Sequence, residues 1–443
     1  MNNNSTYMMK NKNSGFSLIE LMVAMVIGII VLLGLVSLFT NSSILNKSQT
    51  GLATLQENGR YAITRLKDDI QQAGRKHCAT MAMPTTLITN WDQGYAMTTW
   101  TVDQGVDFSS HPSTNGLPLI NEIELRALSS TNQLPDGSSI TGQAYPLDPR
   151  YFIQGHECSA SSCTPALGGV GGDNESNLRV IGTSDGDRAA GTDVLTIRYL
   201  NGGNRVTAIN GNQFTLSRPI IASTNNLAMV ADCNTSYVAN ANWSSNSVVL
   251  NGTNVPSSFS LTSDTRAFDM TRDFKTVSYF VGIDNDPNRA GRQISSLYRS
   301  ENGNVQQLVE GVERFDVFYL AQLQTGRVAR LTADEVQTVN NGGGKPISGD
   351  NGCILPPLSE SVPSGMQLAN GSGCLWRSIY AMEIHLLLNT VNDSSMVEDE
   401  VFIYSPDGDT AQTPGSTLTN GLSRERMYRR EFTATIPIRS YTL

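Results

Sequence analysis

From Phe16 to Phe39 the chain is apolar at nearly every position, and polar residues return in force only at Thr40-Asn41-Ser42-Ser43. About 20 such residues are enough to cross a bilayer as one helix. Inside this run, close to its start, stands one carboxylate, Glu20. A lone acid in hydrocarbon costs roughly 2.5–3.5 kcal/mol on insertion scales, which marks it as functional and in need of a partner. Beyond the run the period changes. Leu52, Leu55, Gly59, Ala62, Ile63, Leu66, Ile70 and Ala73 recur at steps of three and four, with Gln56, Glu57, Arg60, Arg65, Lys67 and Asp68 between them. That single stripe predicts an amphipathic helix continuing the apolar one. A helix from Phe16 to about Lys76 is roughly 90 Å long at 1.5 Å per residue. Gly28, Gly34, Gly51 and Gly59 weaken it by about 1 kcal/mol each relative to Ala. At Gly28 and Gly34 two readings stay open, close packing against other helices and local loosening.

After Cys78 the pattern alternates and turns become frequent. Val194–Tyr199 reads as a strand. Arg205–Ile209 and Gln213–Leu216, flanking Asn210-Gly211, read as a hairpin, as does Leu297–Arg299 with Val305–Leu308 around Asn302-Gly303-Asn304. Further strands are expected at Val277–Gly282, Phe315–Tyr319, Met382–Leu388 and Glu431–Ile438. The segments Gly155–Asp187 and Asn340–Gly373, rich in Gly, Ser and Asn, read as surface excursions. The fold class is therefore α+β, a long N-terminal helical spine packed on a large antiparallel β-rich domain.

Charged residues make up only 16% of the chain and the net charge is −9. This acidic balance, with no large basic patch, argues against nucleic-acid binding by this chain. Six cysteines suit an oxidising compartment and disulfides. Sequence proximity favours Cys158–Cys163 and Cys353–Cys374, leaving Cys78–Cys233 to staple the end of the helix to the β-rich body. Closing that long loop is worth on the order of 3–5 kcal/mol in the chain-entropy model. A zinc site is disfavoured, since no Cys-x-x-Cys pair occurs and His77, His111, His156 and His385 are scattered.

The sequence Gly15-Phe16-Ser17-Leu18-Ile19-Glu20, after a leader carrying Lys10 and Lys12, resembles the class III signal of type IV pilins and pseudopilins. The resemblance implies cleavage between Gly15 and Phe16 by a prepilin peptidase and N-methylation of Phe16. It also implies pairing of Glu20 with the terminal amine of a neighbouring subunit. A buried charge is tolerable when so paired. Removing Lys10 and Lys12 takes the side-chain charge from −9 to −11. A start at Met9 instead of Met1 gives a leader nearer the family's usual length. On this reading residues 1–15 are the leader, 16–39 the membrane or fibre-core half of the helix, 40–76 its amphipathic half, and 77–443 a periplasmic or extracellular β-rich domain. Lys10 and Lys12 keep the leader cytoplasmic by the positive-inside rule.

Three blocks resemble the PilW family of minor pilins. They are Glu57-Asn-Gly-Arg60-Tyr61-Ala62-Ile63 continuing to Leu66, Asp69, Ile70 and Ala73-Gly74; Leu308-Val-Glu-Gly311-Val312-Glu313; and Tyr428-Arg429-Arg430-Glu-Phe432-Thr-Ala-Thr-Ile436-Pro-Ile438-Arg439. This resemblance implies a non-enzymatic subunit of the minor-pilin complex that primes fibre assembly, at or near the tip, without a cofactor. The implied partners are the prepilin peptidase, other minor pilins, the major pilin, the inner-membrane assembly platform, membrane lipid before assembly, and a large tip adhesin. The implied course runs from the inner membrane to the extracellular fibre.

Two alternatives stay open. One is the minor pseudopilin J of type II secretion, which shares the signal and a Val-Glu-Gly-Val segment. The other is an adhesive subunit in which Trp91, Trp100 and Trp243 supply aromatic contacts. No Walker loop or His-Glu-x-x-His helix is present, and Gly168–Gly172 lacks the Lys of a phosphate loop. Asp185-Gly-Asp187, Asp284-Asn-Asp286 and Asp407-Gly-Asp409 invite a calcium reading, but none continues into an EF-hand and Asp-Gly turns account for them.

Overall fold

A computed structural model describes residues 17–75, 153–165, 178–221, 227–232, 236–251, 261–323, 327–338, 379–392, 401–414 and 427–439, with 77, 99–102, 143–146, 167, 375–376 and 422. The chain divides into two compact units, Met1–Ala53 and Thr54–Leu443. One helix, α1 (Leu18–Ile70), runs through the boundary. In the first unit its side chains are almost all exposed, from Leu18 and Ile19 to Leu38 and Phe39. An 18-residue window there has mean hydropathy 3.0 and none of it is buried. Apolar exposure on that scale signals an environment other than water, because burying each such side chain is worth about 1.5–3 kcal/mol.

In the second unit the expected stripe is the buried one. Leu55, Gly59, Ala62, Leu66, Asp69 and Ile70 are buried while Glu57, Arg60 and Tyr61 are exposed. The helix proper stops at Ile70, short of the expected Lys76. Gln72 and Ala73 instead donate to the carbonyls three residues back, and Gly74, at φ +70°, donates to the Arg198 carbonyl. Leu200 N–H then bonds the Arg75 carbonyl, so the chain leaves the helix in order to pair with a strand.

The strands that surround this end of α1 are β1 (Ile153–Cys158), β2 (Val194–Leu200), β3 (Phe274–Asn285), β4 (Gln293–Glu301), β5 (Asn304–Glu310), β6 (Val312–Gln322), β7 (Val328–Leu331), β8 (Ile379–Asn389) and β9 (Arg429–Pro437). One antiparallel sheet runs β5-β4-β3-β2-β1, and a second runs β7-β6-β8-β9. Both sheets and the end of α1 share one core. Leu55, Ala62, Leu66 and Ile70 lie in it with Ile197, Val277, Tyr279, Phe315, Val317, Ile384, Leu386 and Ile436. The five single strands expected by pattern fall in β2, β3, β6, β8 and β9, the last expected one residue too long at Ile438, and the two hairpins fall on β4 with β5 and on a pair described next. The β4–β5 turn is the two-residue kind that needs positive φ twice, and Asn302 and Gly303 have φ +49° and +83°.

A further sheet, absent from the sequence-based expectation as a separate body, is inserted between β2 and β3. Strands Asn204–Asn210, Gln213–Leu216, Ser247–Leu250, Ser236–Trp243, Leu227–Ala231 and Arg266–Asp269 pair in a ring that closes on itself. Its core is small-residue rich: Ala228, Ala239, Ala241 and Ala267 with Val206, Phe214, Val230 and Val248. Closure leaves no unpaired edge within the ring. The excursion expected from Gly155 begins later, since Gly155 and His156 are buried within β1.

Candidate functional site

Glu20 lies in the first turn of α1, where an acid complements the helix dipole. Its own N–H and that of Leu21 bond the Ser17 carbonyl at 3.0 and 3.1 Å. Its side chain is exposed among Leu18, Ile19, Leu21 and Met22. Gly15 and Phe16 lie outside the described residues. This is a carboxylate presented on an apolar surface, open to a cationic partner from another molecule.

Within the second unit, the last turn of α1 carries a buried carboxylate, Asp69, that ties the helix to the first sheet. Arg299 on β4 meets it at 2.6 Å through Nε and 3.3 Å through Nη2. Tyr199 donates to it from β2 at 3.1 Å, and Tyr279 donates to its other oxygen from β3. Arg299 Nη1 also reaches Glu301 at 2.6 Å, and Lys275 reaches Glu301 at 2.7 Å. Burial opposes the Arg299 charge, yet Asp69 and Glu301 outweigh it and raise its pKa. Burial pushes both tyrosines up, and the Asp69 charge adds to this, so they stay neutral donors. Three strands thus hold one helical acid.

The second sheet grips the same helix through shape. A Cβ placed on Gly59 would collide with the Phe432 ring of β9, so the helix and strand approach only because residue 59 is glycine. The same sheet holds a pair with no exposure at either side chain: Arg429 Nε meets Glu313 Oε2 at 2.8 Å and Nη2 meets Oε1 at 3.0 Å. Asn389 donates to Glu313 at 2.6 Å. Burial raises the Glu313 pKa in spite of Arg429. Gly311, at φ +84°, makes the β5–β6 turn that aims Glu313 inward, and a Cβ there would strike the Asn389 carbonyl. The three blocks singled out in the sequence are thus linked by pairwise contacts: Gly59 of the first meets Phe432 of the third, and Glu313 of the second pairs with Arg429 of the third.

The cysteines Cys158 and Cys163 form a disulfide, with Arg188 Nη1 3.3 and 3.6 Å from their sulfurs. Cys78, Cys233, Cys353 and Cys374 lie outside the described residues. Five of the six aspartates considered for calcium are engaged otherwise, and Asp409 is exposed. Asp185 and Asp187 accept backbone N–H groups of Asn285 and Ser184 at 2.8 Å. Asp284 pairs with Arg179 at 2.9 Å, Asp286 with Arg292 at 3.3 Å, and Asp407 with Arg314 at 3.1 Å. Among the described residues no three His, Cys, Asp or Glu side chains converge on a metal position. Trp243 is half-buried against the core of the closed sheet; Trp91, the Trp100 side chain and His111 lie outside the described residues.

Sequence reasoning missed the charged pairings: Asp69 with Arg299, and Glu313 with Arg429. Their only sequence signal was the presence of acids and an arginine within otherwise apolar or strand-like blocks. With this geometry in place, comparison adds one finding: a family model described as the prokaryotic N-terminal methylation motif matches residues 10–36. No curated protein and no solved structure matches the chain. The motif supports a protein of the type IV pilin and pseudopilin kind, structural in character, processed by prepilin peptidase and assembled with other pilins. It also fits an inner-membrane anchor that later enters a fibre.

Proposed function

We propose that this chain is a minor pilin of a type IV pilus, cleaved between Gly15 and Phe16, methylated at Phe16, and built into the complex that primes fibre assembly at the tip. The observation that carries the reading is a lone acid, Glu20, in the first turn of a helix whose surroundings are otherwise apolar and exposed, inside the segment that matches the methylation motif. A carboxylate in hydrocarbon needs a cation, and a neighbouring subunit's new N-terminal amine is one that cleavage itself creates. The contacts at Asp69 and Gly59 serve this role mechanically, because a β-rich body can be carried by a fibre only if its helix is firmly held.

The test is Glu20→Ala in the native host, with processing and surface fibres measured together. The reading expects normal cleavage with fibres reduced or absent. Unchanged fibres and unchanged protein secretion overturn it. Intact fibres with lost secretion transfer the chain to the pseudopilins of type II secretion.

A further inference from the structure

The outward face of the β7-β6-β8-β9 sheet carries a histidine held by two carboxylates. The side chain of His385 on β8 is 4% exposed. Its Nε2 lies 2.6 Å from Glu383 Oε1 on the same strand, and its Nδ1 lies 2.7 Å from Glu431 Oε1 on β9. A neutral imidazole has one N–H and one lone pair, so it can satisfy only one of these carboxylates. Both contacts are bonds only when the ring carries two protons.

The remaining neighbours fix what depends on that second proton. Glu383 has its own cation, since Arg330 on β7 grips it at 3.0 and 2.9 Å. Among the described residues no arginine or lysine pairs with Glu431; its other oxygen accepts the N–H and hydroxyl of Ser405 at 3.1 and 2.6 Å. Ser405 belongs to a segment lying over the sheet, closed by reciprocal backbone bonds between Phe402 and Gln412. On β6, Asp316 stands opposite His385 in register. Asp316 accepts Tyr404 Oη at 2.5 Å and pairs with Arg314, which also holds Asp407. The rings of Phe318 and Tyr404 meet the imidazole edge-on, at 5.5 and 6.5 Å. Phe402, Tyr404 and Leu387 form a small buried cluster beneath the segment.

We propose that Glu383, His385 and Glu431 form a proton-dependent clasp that holds the 402–412 segment on the second sheet, closed while the imidazole bears two protons and loosened when one leaves. On deprotonation one carboxylate faces a nitrogen lone pair at under 3 Å and must turn away. Tyr404 and Asp407 hold the segment by bonds that do not use the ring proton, so the segment loosens at its Ser405 end and is not released. Histidine is the side chain whose unperturbed charge changes between about pH 5 and 8, which sets the range over which the clasp is tested.

The experiment uses the full chain in detergent. Amide exchange of peptides covering 402–412 is followed at about pH 5 and about pH 8, corrected for intrinsic exchange rates, in wild type, His385→Gln and Glu431→Gln. Nitrogen-15 spectra of histidine-labelled protein report the protons on the ring. The clasp predicts two ring protons on the acid side, and protection that falls roughly tenfold on the alkaline side, the size of one charge-assisted hydrogen bond. It predicts that both variants lose this pH dependence, while peptides of β2 and β3 are unaffected. A ring with one proton on the acid side, or equal corrected exchange at both pH values in wild type, overturns it. A pH dependence that persists in the two variants does so too.

Discussion

Replacing Arg429 by Met probes the buried Glu313–Arg429 pair most sharply. The side chain it removes and the Glu313 it abandons are both fully buried, and among the described residues the amide of Asn389 is the other donor to Glu313. Breaking a buried ion pair by removing one partner typically costs about 3–5 kcal/mol. The bidentate geometry here places Arg429→Met in the upper part of that range. Burial already raises the Glu313 pKa against the pull of Arg429. Without the arginine the carboxyl goes further up and is protonated more readily, so the penalty shrinks as pH falls. The double variant Glu313→Leu with Arg429→Met removes both desolvated charges together, and it is expected to recover all but about 1–2 kcal/mol, since apolar replacements of buried pairs are often near neutral. Urea unfolding of the full chain in detergent, followed by tryptophan fluorescence, measures all three. A loss below about 1 kcal/mol for Arg429→Met, or a double variant as unstable as the sum of the singles, refutes the reasoning.

Four further outcomes follow from other parts of the molecule. Asp69→Ala leaves Arg299 with Glu301, the Tyr199 hydroxyl without its acceptor and Tyr279 with the Arg65 carbonyl at 3.3 Å, for a loss of about 3 kcal/mol in the same unfolding assay. Gly59→Ala forces the Phe432 ring to move and costs about 1–3 kcal/mol, with proteolysis expected to rise at the amphipathic half of the helix. His156, kept neutral by burial with a pKa lowered from 6.5 to about 4, takes up its proton in the unfolded chain before the folded one. Stability therefore falls between those two pH values, by roughly 3 kcal/mol at about 1.4 kcal/mol per unit, and His156→Gln flattens this part of the acid limb. Asp193, raised by burial and by Asp316, works in the opposite sense. Its contribution is full below the ordinary carboxylate range and is lost as pH rises, so Asp193→Asn is expected to be neutral to stabilising at pH 8 when melting is compared with pH 4.

What was legible in the sequence was local. The apolar run and the stripe through Leu55, Ala62 and Leu66 follow from helical periodicity, which the chain carries within a few turns. Asn302-Gly303 reads as a turn because few residue pairs accept two positive φ angles. The closed sheet was not legible as a body of its own, because its closure joins Leu227–Ala231 both to Ser236–Trp243 and to Arg266–Asp269, and an alanine-lined interior gives little hydrophobic contrast along the chain. The Glu313–Arg429 pair spans 116 positions and the Asp69–Arg299 pair spans 230. Their residues were visible within recognisable blocks, but nothing in a single sequence says which acid meets which base. The helix end was misplaced for a related reason: Gly74 stops it in order to donate to Arg198, a partner far along the chain.

The central claim is that Glu20 is borne in an apolar setting because processing creates an amine to neutralise it. Mass spectrometry of the protein isolated from its native cells tests this most directly. The account predicts a chain that begins at Phe16 and carries one methyl group on that terminal nitrogen; a retained leader with Phe16 internal and unmodified contradicts it.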